Sequence, residues 1–304
     1  MTLKPVYFCM KSVLPAVVVA CAAAFGTACV VVDSQGHITR DEKRFRVSGA
    51  PDLRLSTFDG AIEIRNGAAG EVVVEIEKRG PTQEAIERLQ VDAKQDGNRI
   101  DVEVRKPAGE VVFFGIGHMS PTARLIVTMP NDGNVIAKSG DGSIRVAHVR
   151  GRLELRTGDG SIRASDVAGQ LILQTGDGSV TLDGAEGDLD LETGDGGVSV
   201  AGKLASVKLH TGDGSISFRA EQGTVMTEDW SVTTGDGDVA LNLPQDFSAD
   251  IDAHTGDGSI RSELDLKSVP NGEIGRRTVR GRVGSGGKTL KIRTGDGGIR
   301  LRAS

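Results

Sequence analysis

The sequence predicts an all-β fold: a parallel β-solenoid of about 18-residue coils, right-handed by the general crossover preference, with a β-rich N-terminal cap. Three observations carry this expectation. The turn [Ser/Thr]-Gly-Asp-Gly occurs eight times, and its first five aspartates, Asp141, Asp159, Asp177, Asp195 and Asp213, are each 18 residues apart. Apolar and polar residues alternate on both sides of the turns, the period of half-buried strands. Glycine supplies 42 of 304 residues, whereas Phe, Trp and Tyr number only 8, 1 and 1, which suits thin aliphatic ladders better than a bulky globule.

The elements follow in chain order. Lys4 and Lys11 precede an uncharged stretch from Ser12 to Val32, so residues 1–29 read as a signal peptide or lipoprotein leader. An uncleaved signal anchor is the alternative, since the stretch is long enough to span a bilayer once. Cys9, Cys21 and Cys29 all fall in or at the end of this segment, which leaves the body without a disulfide or a cysteine-based zinc site. Small residues before a cysteine at the end of an apolar run mark a lipidation site. Cys29 is preferred because a fuller apolar run precedes it and Asp33-Ser34-Gln35-Gly36 follows; Cys21 is the alternative. Either reading exports the body.

Residues 37–130 lack a clear repeat but hold alternating segments such as Asp52-Leu53-Arg54-Leu55-Ser56 and Arg99-Ile100-Asp101-Val102-Glu103-Val104, as expected of a β-rich cap or irregular first coils. One short helix is expected there. Thr82 can cap it, with Ile86 and Leu89 on one side, before an Asp96-Gly97-Asn98 turn. Thr57-Phe58-Asp59-Gly60 looks like a degenerate early copy of the repeated turn.

Residues 131–304 form the repeat region, whose later turns centre on Asp236, Asp257 and Asp296. In one unit Leu153, Leu155, Ile162 and Ala164 should face inward, repeated one coil later as Leu171, Leu173, Val180 and Leu182. A chain of antiparallel hairpins with Gly-Asp-Gly at each tip stays open as the rival, because Asp-Gly is a strong hairpin signal. The glycines are expected to supply positive φ at a sharp corner, and the aspartate to accept nearby backbone N–H bonds. Stacked aspartates would also form an acidic column able to draw cations. One aspartate per coil offers calcium few of the six to eight oxygens it takes, so no cofactor is expected, with calcium the one candidate cation.

Charge is uneven. The chain carries a net −6, which argues against a polyanion-binding role over the whole molecule, and no nucleic-acid partner is expected. Residues 166–266 hold 20 acidic and 4 basic residues, whereas 267–304 hold 10 basic and 2 acidic. The basic end, with Arg276, Arg277, Arg280 and Arg282, could pair with the acidic middle of another molecule or touch anionic lipid.

Candidate chemistry is sparse. His37, His118, His148, His210 and His254 are dispersed; His210 and His254 precede turns at a position that Arg156 and Gln174 fill elsewhere, which makes them outward strand residues. Gly287-Lys288-Thr289 lacks the earlier glycine of a phosphate-binding loop, Arg282 standing there, and a strand is expected after it. Beyond residue 130 only Phe218, Trp230 and Phe247 could serve as sugar platforms. The protein is not expected to be an enzyme.

The eight turns, the cysteine-ended leader running into Val30-Val31-Val32-Asp33, and the late Gly284-Ser285-Gly286-Gly287 block before Thr294-Gly295-Asp296-Gly297 resemble the bacterial putative-adhesin domain family of β-strand-repeat proteins. The resemblance spans roughly residues 45–304. It implies an exported β-solenoid of the cell envelope and carries no catalytic residues. Val30 after a lipidated Cys29 would by family-level sorting imply the outer membrane of a Gram-negative cell; a periplasm-facing or surface position fits the same export. The function expected is a non-catalytic adhesive or structural surface module, with envelope or extracellular ligands as partners. A carbohydrate-active β-helix enzyme and an envelope sensing or scaffolding domain are the alternatives.

Overall fold

The computed structural model describes residues 29–33, 36–106, 120–270 and 272–304. Cys9, Cys21, the rest of the leader before Cys29, and His118 lie outside the described residues. Cys29 opens the strand Cys29–Asp33, which runs antiparallel to Gly36–Arg46. The described chain is all-β, with 24 strands and a single helix of 5 residues. That helix, Gln83–Glu87, is the expected one: Thr82 accepts a hydrogen bond from the Ala85 N–H, and Ile86 and Leu89 are buried.

Each repeated turn joins two strands that do not pair with each other. Arg150–Thr157 runs parallel to Ala168–Thr175 at the 18-residue step, matching Leu153 to Leu171 and Thr157 to Thr175. Ile162–Ser165 lies parallel to Val180–Thr193 in the same way, Ile162 opposite Val180. The antiparallel-hairpin rival therefore does not describe these strands. Because side chains alternate along a strand, parallel pairing at a constant step puts like residues in one inward column. All eight residues expected to face inward, from Leu153 to Leu182, are buried.

Stacking order departs from chain order at both ends. Asp52–Thr57 and Ile62–Asn66, which flank the degenerate Asp59 turn, lie between two later segments: Arg99–Arg105 with Thr122–Met129 on one side, and Asn134–Ser139 with Ile144–Ala147 on the other. At the far end Thr289–Thr294 runs between Trp230–Thr234 and Ala249–Thr255, and Ile299–Ala303 between Val239–Leu243 and Ile260–Ser262. The Asp296 turn thus sits between the Asp236 and Asp257 turns. The antiparallel strand Thr278–Val283 then covers the outer edge of Ala249–Thr255. At the first end the chain goes out one layer and returns past the layer it started from; at the second it goes out two layers and comes back between them.

The few rings occupy one place. Phe218, Trp230 and Phe247 are buried, with Trp230 5.3 Å from Phe218 and 5.6 Å from Phe247 between ring centroids. They lie where the turn spacing widens from 18 to 23 and 21 residues, and the longer connections make room for a ring layer. Buried in the core, these three are not sugar platforms.

Carboxylates at the two ends hold arginines. Burial pushes the Glu77 carboxyl up, but hydrogen bonds and charge from Arg40 and Arg79 outweigh it and hold it below the usual carboxylate range. Asp252 is likewise raised by burial and lowered further by Arg293 and Arg280. A carboxylate depressed in the folded state stabilises it above the unfolded pKa, and that contribution is lost as pH falls through the folded value. Stability should therefore be flat near neutrality and decline below about pH 4.5, the ordinary Glu value. Urea midpoints from pH 7 to pH 3 check this, and Glu77→Gln should flatten the decline.

Candidate functional site

Eight turn aspartates, Asp141, Asp159, Asp177, Asp195, Asp213, Asp236, Asp257 and Asp296, are exposed. Each turn lies on the next, so the aspartates form a column along the stack. Their carboxylates lean along it: Oδ1 of Asp141 lies 3.0 Å, and that of Asp159 3.2 Å, from where a Cβ would stand on the first glycine of the following turn. Among the described residues, cations close on this column only at its ends, Lys106 at 2.5 Å from Asp59 and Arg277 at 3.7 Å from Asp257. No group of three or more His, Cys, Asp and Glu side chains among the described residues is placed to hold a metal ion.

The glycines of the turn act differently from the expectation. None of the Gly-Asp-Gly glycines has positive φ. In the repeated coils positive φ belongs to the opposite corner, at His148, Asp166 and Gly184 and again at Gly151, Gly169 and Gly187, each set 18 residues apart. In the Gly-Asp-Gly turn the missing Cβ permits close stacking instead. A Cβ on Gly178 would stand 2.0 Å from the Gly160 carbonyl oxygen, and one on Gly160 2.3 Å from that of Gly142.

The hydroxyl that opens each motif was given no role by the sequence reading, yet it ties the column together. Thr211 is fully buried and donates to the carbonyls of Gly194 at 3.0 Å and Gly196 at 3.2 Å in the preceding turn. It also accepts from the Gly214 N–H of its own turn. Thr157, Thr175, Thr193, Thr234, Thr255 and Thr294 repeat the two-carbonyl contact, and Ser139 reaches the Gly60 carbonyl. The signal was in the sequence: every copy begins with a hydroxyl, which a turn needing only flexible glycines would not require. Thr211→Val keeps the shape but takes this partner from the Gly196 carbonyl and the Gly214 N–H, the Gly194 carbonyl keeping the Gly212 N–H, so it should cost about 1–3 kcal/mol in urea unfolding. Thr211→Ser should cost no more than about 1 kcal/mol, the value of one buried methyl.

The two strand faces present outward rows. One runs Ile136, Glu154, Ile172, Asp190, Lys208, Ser231, Lys291 and Asp252. The other runs Glu63, Arg145, Arg163, Thr181, Ser199 and Ser217 before continuing into the C-terminal layers. His210 and His254 are exposed on their strands, as expected, and His254 Nδ1 lies 3.1 Å from the Thr278 hydroxyl. Thr289 begins a strand, as expected after Gly287-Lys288.

The basic C-terminal segment pairs within the chain. Arg282 grips Asp250 at 2.7 Å, Arg280 reaches Asp252 at 3.3 Å, and Arg277 reaches Asp257. Those aspartates belong to the acidic stretch, so much of the charge asymmetry closes on itself across Ala249–Thr255 and Thr278–Val283.

The Toastrack DUF4097 family model matches residues 51–302, from the first stacked strand to the last. The chain belongs to this family. The Toastrack match takes in both re-entrant ends and the whole turn column. A comparison with curated proteins finds no match. Among solved structures, a "putative cell adhesion protein" from Clostridium sporogenes is similar at 13% identity and TM-score 0.29, covering 87% of this chain and 99% of its own. A "putative adhesin" from Bacteroides fragilis is similar at 10% identity and TM-score 0.37, and a "putative lipid binding protein" from Parabacteroides distasonis at 10% and 0.40; each pairing covers 86% of this chain and 96% of the other.

Proposed function

We propose that this Toastrack chain is an exported cell-envelope module: a right-handed parallel β-solenoid of about 18-residue coils, anchored through lipid on Cys29, that acts as a non-catalytic adhesive or structural surface. Residues 37–130 form its cap and 131–304 its coils, the Asp59 layer being the cap's contribution to the stack. Lipid on Cys29 would join the membrane to the Cys29–Asp33 strand at the cap end.

The observation that supports this reading best is the registration of the outward rows. Side chains from successive layers stand about 4.8 Å apart on a hydrogen-bonded scaffold. Binding on such a surface spreads over many weak contacts on a preorganised face, with little ordering cost. The purified protein, tested on a glycan array and in a polysaccharide hydrolase and lyase screen, should show durable binding without turnover. Turnover without durable binding would overturn the reading in favour of a carbohydrate-active enzyme. Palmitate labelling should be lost in Cys29→Ser and kept in Cys21→Ser; the reverse moves the anchor to Cys21.

A further inference from the structure

We infer that the groove over Arg145 and Arg163 is a binding site for a phosphate ester. Arg145 and Arg163 are direct partners across a parallel ladder, so two exposed guanidinium groups stand side by side on one face. Like charges at paired positions repel, and a rigid sheet does not let their backbones part. Elsewhere on the surface most outward arginines meet a carboxylate: Arg156 and Arg152 meet Glu154, and Arg280 and Arg293 meet Asp252. Among the described residues neither Arg145 nor Arg163 lies within ion-pair distance of one.

The carboxylate nearest in register is already committed. Glu63 is the ladder partner of Arg145, but it is held by Arg65 and Arg124. Each unpaired guanidinium is instead steadied by a serine two residues before it, Arg163 donating to Ser161 Oγ at 3.0 Å and Arg145 to Ser143 Oγ at 3.3 Å. One nitrogen of each fork is thus tethered and the other donors are left for a ligand. The two arginines border a groove of about 330 Å³ that also takes in Glu63, Arg65, Ser165, Thr181 and Asp183; Glu63 is neutralised by Arg65 and Arg124, and Asp183 lies 4.0 Å from Arg219.

These groups match a tetrahedral oxyanion. Two adjacent forks offer more N–H donors than the two oxygens of one carboxylate can use, whereas phosphate presents three or more oxygens in different directions. Ser165 and Thr181 add hydroxyl donors, and Asp183 can accept from hydroxyls on the group that carries the phosphate. The site does not depend on the adhesive reading, because it rests on one groove and not on the rows as a whole.

Titration of the purified protein with inorganic phosphate, followed by calorimetry and ³¹P line width, tests the site. Saturable binding that weakens at least tenfold in Arg145→Gln/Arg163→Gln, with an unchanged melting temperature, is expected. Arg276→Gln, an exposed arginine outside the groove, should bind as the parent does, and Arg145→Lys, which keeps charge but loses the fork, should fall between. Sedimentation with phosphatidylglycerol and phosphatidylcholine vesicles identifies the source: retention on the first alone makes a lipid headgroup the carrier, and phosphate binding without retention makes it a soluble or polymeric ester. Absence of saturable phosphate binding by the parent, or equal weakening in Arg276→Gln, overturns the proposal.

Discussion

Gly178→Ala should destabilise the protein by about 3 kcal/mol, near the upper end for overpacked sites, which for a chain of this size corresponds to a melting temperature roughly 5 °C lower. The added Cβ would lie 2.0 Å from the oxygen and 2.6 Å from the carbon of the Gly160 carbonyl. Those are backbone atoms fixed by ladders on both sides, so the clash is relieved only by parting two layers. Parting them also lengthens the bonds that Thr175 makes to Gly158 and Gly160. Gly197→Ser is the matched control. It stands one residue after a Gly-Asp-Gly turn, where other copies carry Ser161, Ser179 and Ser215, and its Cβ would meet only the Ser215 carbonyl oxygen at 3.9 Å. That substitution should stay within about 0.5 kcal/mol. Melting curves of the two variants beside the parent decide it; equal melting temperatures would mean that the stacked turns are looser than their spacing implies.

This contrast marks where the sequence could be read and where it could not. Strand positions and inward residues followed from alternation, because a period of two and a step of 18 determine which side chains share a column. The helix after Thr82 followed from its cap and from Ile86 and Leu89. The reason for the turn glycines did not follow, since a residue chosen for positive φ and one chosen to let a neighbouring carbonyl approach are written with the same letter. His148, Asp166 and Gly184, with Gly151, Gly169 and Gly187 three residues further on, show where the repeated coil spends its positive-φ conformations. The hydroxyl at the head of every copy was legible, but the carbonyls it reaches were not, because they belong to the neighbouring turn, a relation that no single copy of the motif contains. The layer order at the ends was hidden for a related reason. Turns with the same sequence stack equally well on one another, so nothing local says that Asp296 precedes Asp257 in space. That order depends on the length of the excursion between Ile260 and Thr294 and on the strand Thr278–Val283 that closes over Ala249–Thr255.

Deleting residues 284–304 should unfold residues 230–283 while leaving the earlier layers protected. The deleted segment places Leu290, Ile292, Ile299 and Leu301 fully in the core. Four such side chains contribute roughly 6–12 kcal/mol, as large as the whole stability of many domains. The segment is also the parallel partner of both neighbours: Trp230–Thr234 and Ala249–Thr255 each lose a ladder, and the turns of Thr234 and Thr255 lose the layer between them. In a simple sequential stack the same deletion would remove only an end layer, with its cost confined to one interface. Here it empties an interior layer and strands the cap formed by 263–283 beyond the gap. Hydrogen exchange distinguishes the two cases. Rapid exchange across 230–255, with slow exchange retained at Leu171 and Leu189, is the expected result. Retained protection at Ile251 and Ala253 would show that the Asp257 turn has moved inward to stack directly on the Asp236 turn, and that the returning strand is not what holds the far end of the array together.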